Sequence, residues 1–165
     1  MTQPLLSLLL VMLPVAALAD TATLTISGTV LPGTCTLTAP AIDLDPVKAD
    51  EMTVATPAKV KAGVLSFTGC VGVARARLSF DGVAADGDPE RWKNTVGATP
   101  ASGVSIALLS GTTGTTYLKN GDTDTVVVSG ATASYDLRAG YYIGSTTGIN
   151  AGNISTDIVV TAAYD

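Results

Sequence analysis

The chain has 165 residues, 9 basic and 14 acidic side chains, a net charge of −5 and no histidine. That length suits one domain, and a mildly acidic chain with no basic cluster argues against nucleic acid or an anionic lipid surface as a partner. Without an imidazole, neither Ser-His-Asp or Cys-His nucleophilic sites nor most catalytic zinc sites can be built.

The first element is the apolar run from Leu5 to Ala19, which carries no charge and ends in small residues before Asp20. About fifteen residues fall short of the ~20 that a membrane-spanning helix needs. The run reads as the apolar core of a secretory signal, with cleavage after Ala17-Leu18-Ala19, even though no Lys or Arg precedes it. The expected division is therefore a signal peptide over 1–19, with no stable membrane insertion of the mature chain. Export also changes how the cysteines read: in an oxidising compartment Cys35 and Cys70 form a disulfide.

Residues 21–30 come next and alternate between small polar and apolar side chains. With a period of two, Ala22, Leu24, Ile26 and Gly28 share one face and the threonines and Ser27 the other. Alternation by itself leaves two readings open, a first strand of the domain or a strand given to something else. Further strands are expected over 64–70, 76–80, 103–109, 117–119, 124–128, 134–137, 141–144 and 156–164, with Gly, Asn, Asp and Pro between them. Asn120-Gly121 marks a hairpin between two of these. Residues 81–100, with Pro89 and the lone Trp92, read as a long connection, and 145–152 as a Gly/Thr-rich loop. Short strands with turn signals between them, and no apolar helical period, predict an antiparallel sandwich.

In the last strand Ile158, Val160, Ala162 and Tyr164 share one parity, and Val159 takes the other. An edge strand ending at Asp165 leaves backbone groups unpaired, a liability unless something covers them. The acidic groups around Asp43 and Asp86 lack a calcium-loop pattern and read as solvated loop charge. The Asn153-Ile154-Ser155 triplet matches the glycosylation sequon, a pattern frequent by chance.

A signal peptide, then Ile26-Ser27-Gly28-Thr29-Val30, then Cys35, then Cys70 closing a strand-like run, then Gly140-Tyr141-Tyr142 and a C-terminal strand with a penultimate Tyr164 occur here in one order. In that order the chain resembles the type 1 fimbrial subunits of the chaperone–usher pathway, the pilins. The resemblance implies an all-β, immunoglobulin-like sandwich lacking its C-terminal strand and completed by donor-strand complementation. It implies a donor extension over 20–28, inserting Ala22, Leu24, Ile26 and Gly28, and a pilin domain over 29–165. It further implies an acceptor groove or chaperone contact at Ile158, Val160, Ala162, Tyr164 and Asp165. The implied partners are neighbouring pilin subunits, a periplasmic chaperone and an outer-membrane usher, with no cofactor and no enzymatic activity. Its implied place is a cell-surface fimbrium that mediates adhesion. The alternative is a one-domain minor or tip subunit, or an adhesin that binds a host receptor directly. Ala22 stands about where such subunits usually carry Gly.

Overall fold

The structure, a computed structural model, describes residues 22–165. The predicted signal peptide, Asp20 and Thr21 lie outside the described residues. Two compact units are distinguished, one running up to Val30 and the other Leu31–Asp165. In the first, residues 22–30 form no helix or strand and every side chain is exposed, Leu24 at 83% and Ile26 at 86%. The alternating pattern therefore does not make a strand of this chain's own sandwich.

The second unit is built of ten strands: β1 Thr36–Thr38, β2 Ala58–Thr68, β3 Arg75–Gly82, β4 Ala84–Ala85, β5 Asp88–Trp92, β6 Ser105–Ser110, β7 Tyr117–Leu118, β8 Thr123–Val127, β9 Thr132–Tyr142 and β10 Ile158–Tyr164. A single 3-10 turn, Ala49–Glu51, is the one helical piece among the described residues. The larger sheet runs β1-β2-β9-β6-β5-β4, with β7 also on β6, and the smaller runs β10-β3-β8. All these pairings between strands are antiparallel. Alternate residues of each strand face inward, so Leu65 and Phe67 of β2 meet Leu78 and Phe80 of β3 across the sandwich.

Several predicted elements are corrected. The two short strands expected over 134–137 and 141–144 are one strand, β9, because Arg138 and Gly140 are not breaks. Arg138 lies on the outer side, donating from Nε to the Gly111 carbonyl and from Nη2 to that of Gly114 (both 2.8 Å). Gly140 is required by close approach: a Cβ there would stand 2.8 Å from the Ala58 carbonyl oxygen, where β2 bulges. The connection expected over 81–100 instead contains β4 and β5. Trp92 is a core residue at 0% exposure, its indole N–H donating to the Leu118 carbonyl at 2.8 Å. Arg91, its neighbour on the opposite face, is buried between the rings of Tyr117 (3.5 Å) and Tyr142 (4.0 Å).

Asn120-Gly121 does form a turn, with Gly121 at φ 85°, but not a hairpin. It carries the chain from β7 in the larger sheet to β8 in the smaller. The turn is fixed to β3 instead: Gly121 N–H donates to Phe80 O, and Asn120 Oδ1 accepts from Gly82 N–H. That crossing closes one side of the sandwich.

Cys35 and Cys70 are joined in a disulfide across 35 residues. Loop closure of that length contributes about 3–4 kcal/mol by constraining the unfolded chain.

Candidate functional site

On the side opposite the Asn120 turn the sandwich is open. Between residues 39–44 and residues 154–160 lies a cavity of about 380 Å³. One wall carries Ile42 and Leu44, the other Ile154, Thr156, Ile158 and Val160, and the floor is the core itself, including Leu65, Phe80, Leu108 and Leu137. Tyr141 also faces it; burial and the nearby Asp45 carboxylate push its phenol pKa up. Ile42 fits because β2 has Gly63 beneath it: a Cβ at that position would meet Ile42 Cδ1 at 2.6 Å.

Both walls have backbones left unpaired among the described residues. Arg75 and Asp165 exchange N–H···O bonds of 3.0 and 3.2 Å, which fixes the phase of the β3–β10 ladder. Backbone groups of Val159, Thr161 and Ala163 consequently face β3, and those of Ile158, Val160, Ala162 and Tyr164 face outward along the free edge. On the other wall, residues 39–47 belong to no strand and make no backbone–backbone hydrogen bond among the described residues. The hydroxyl of Thr156, inside the groove, is buried without a hydrogen-bond partner among the described residues. Buried or half-buried polar groups left so are rare in folded domains.

The five predicted acceptor residues are placed as follows. Ile158 and Val160 line the cavity. Ala162 and Tyr164 are half-buried on the same face of β10 but pack beyond it. Tyr164 closes the far end, its hydroxyl donating to the Cys35 carbonyl at 3.0 Å. Asp165 lies outside the cavity, its main-chain oxygen accepting from Ala74 N–H (2.7 Å) and Arg75 N–H (3.2 Å). Val159 is 61% exposed on the outer face.

Sequence reasoning missed the second wall. Its signal is faint: Ile42 and Leu44 alternate with Asp43 and Asp45, but Pro40 and Pro46 interrupt any strand-like run. It also missed Asn94, which holds the groove's rim. Asn94 Nδ2 donates to the carbonyls of Ala101 (3.1 Å) and Asn153 (2.9 Å), and its Oδ1 accepts from Val96 N–H and Ser155 N–H. All four of its hydrogen-bonding positions are used, which ties the segment before β10 in place. The sequon residue Asn153 is engaged too, donating to Ala98 O and Thr99 Oγ1.

No protein-family model matches the chain, and no curated protein does. Solved structures do match. The rod subunit of the P pilus, PapA, aligns at TM-score 0.65 and 14% identity over 81% of this chain and 100% of its own. A Burkholderia pseudomallei antigen and type I fimbria protein aligns at 0.62 and 20% over 81% and 91%. The CupB6 tip adhesin of Pseudomonas aeruginosa aligns at 0.66 and 19% over 79% of this chain. The chain has the pilus-subunit fold. It spans 38% of the tip adhesin's length and the full length of the rod subunit's chain. The pilin fold is the immunoglobulin-like, all-β sandwich expected from the sequence, and the open groove lies beside its last strand.

Proposed function

We propose that this chain is a non-enzymatic structural subunit of a surface fimbria that polymerises by donor-strand exchange. The observation that carries the reading is the groove with two unpaired backbone edges over an apolar floor. One β-strand inserted there would bond to both walls, cover Ile158 and Val160, and bring polar backbone near the Thr156 hydroxyl.

The donor is the 20–28 extension of a neighbouring copy. Its exposed Leu24 and Ile26 are apolar side chains with no cover among the described residues, and burying each contributes roughly 1.5–3 kcal/mol. Ala22 and Gly28 complete the inserted face, and the threonine face suits the solvent side. Before assembly a periplasmic chaperone fills the groove, contacting Tyr164 and Asp165 at its closed end, and an outer-membrane usher exchanges one strand for the other. Adhesion is a property of the assembled fimbria. No helix among the described residues is long and apolar enough to cross a membrane.

The test is assembly in the periplasm with a cognate chaperone and usher. Unboiled samples are expected to give a ladder of detergent-resistant multimers that collapses to one band on heating. A single band without heating would contradict the proposal.

A further inference from the structure

The smaller sheet has two edges, and they are finished differently. Phe80 N–H donates to Asp122 O (3.0 Å) and Val128 N–H to Ala74 O (3.0 Å), which brackets the β3–β8 ladder. In that phase Asp122, Asp124, Val126 and Val128 turn their backbones to β3, and Thr123, Thr125 and Val127 turn theirs outward. The side chain of Asp124 has the inward parity of buried Val126. Its Oδ1 accepts the outward N–H of Thr125, the middle of the edge, at 2.7 Å. Its Oδ2 accepts the Tyr135 hydroxyl at 2.6 Å, and Tyr135 also bonds Ser110 Oγ at 2.8 Å. The carboxylate is thus held from behind by the larger sheet. Burial, then the hydrogen bond to Asp124, push the Tyr135 phenol up to about 12, so it stays a donor at neutral pH. β10 has no counterpart, since no ionisable acid or base lies within Ile158–Tyr164 except the Tyr164 phenol.

We propose that Asp124, latched by Tyr135, is a specificity-determining residue that closes the β8 edge, so that strand addition is confined to β10. An inward-pointing charge is a recognised way of blunting a sheet edge, and here it also occupies the donor an added strand would need. The proposal rests on the donor-strand reading for why β10 is left open, while the closure of β8 stands on its own hydrogen bonds.

The test starts from a parent in which residues 21–30 are appended after Asp165 through a flexible linker, which fills the β10 edge. By sedimentation the parent is expected to be monomeric. Asp124→Ala is expected to strengthen self-association at least tenfold. Asp124→Ala combined with Thr125→Pro is expected to return to the parent's behaviour, because proline removes the exposed donor from an edge where it is tolerated. Asp124→Ala sedimenting like the parent, or the double variant associating as strongly as the single one, would overturn the proposal. Amide exchange in the parent gives a check that needs no Asp124 variant. Thr125 N–H is expected to exchange at least tenfold more slowly than those of Thr123 and Val127, and equal rates would refute the closure. If instead appending the strand leaves the melting temperature unchanged, the donor-strand reading fails, and the Thr125 exchange still decides the role of Asp124.

Discussion

A version of the mature chain carrying a second copy of residues 21–30 after Asp165 is expected to melt about 6–24 °C above the unmodified mature chain. The figure comes from the two side chains alone. Burying Leu24 and Ile26 contributes about 3–6 kcal/mol together, and a domain of this size gains about 2–4 °C per kcal/mol. Ladder bonds to Ile158, Val160, Ala162 and Tyr164 on one wall, and to 39–47 on the other, add to that. The geometry is favourable, since β10 ends at Tyr164 and a strand returning from Asp165 runs antiparallel along its free edge. Thermal unfolding followed by circular dichroism checks it. An unchanged midpoint would mean that the groove does not take this strand.

Ile26→Asp is expected to abolish multimers in the periplasmic assembly assay while leaving the subunit–chaperone complex intact. Insertion would bury a carboxylate among Leu65, Phe80 and Leu137, where no cation lines the cavity among the described residues. An unpaired buried charge costs several kcal/mol, and the lost isoleucine burial roughly another 1.5–3. A combined loss near 5 kcal/mol is more than a thousandfold in the exchange equilibrium. On the donor-strand reading a chaperone occupies the groove and not the extension, so capture is expected to be untouched. Surviving multimers would identify a different donor; loss of the chaperone complex would show that the extension acts in capture as well.

The C-terminal strand was legible in the sequence, since the shared parity of Ile158, Val160, Ala162 and Tyr164 matches the half-buried face of β10. The alternation of 21–30 reports two unlike faces, but residues 22–30 form no strand in the chain itself. The cysteine pairing followed from the compartment, and the sandwich from the turn spacing. The rest failed where a residue's reason lies in a partner distant in sequence. Gly140 looked like a break because the Ala58 carbonyl that excludes a side chain there is more than eighty positions away. Asn120-Gly121 specifies a tight turn but says nothing about whether the flanking strands pair with each other, and here they pair with β6 and β3. Trp92 followed Pro89 in a charged stretch, and the partners that accommodate its buried ring, Gly82 against the ring and the Leu118 carbonyl on its N–H, lie elsewhere in the sequence. The groove's second wall was hard to read because Pro40 and Pro46 cut the alternation of Ile42 and Leu44 with Asp43 and Asp45 down to one short stretch.

The most direct test of donor-strand insertion is a cross-linking scan between two forms of the protein. One carries Ile26→Cys as donor. The other carries Ile26→Asp, so that it can only accept, with a single cysteine at 158, 159, 160 or 162. Cys35 and Cys70 are bonded to each other and do not compete. Insertion predicts a disulfide-linked dimer from at least one of Ile158→Cys, Val160→Cys and Ala162→Cys, and none from Val159→Cys on the outer face. Equal linking at all four positions, or linking at none, would contradict it.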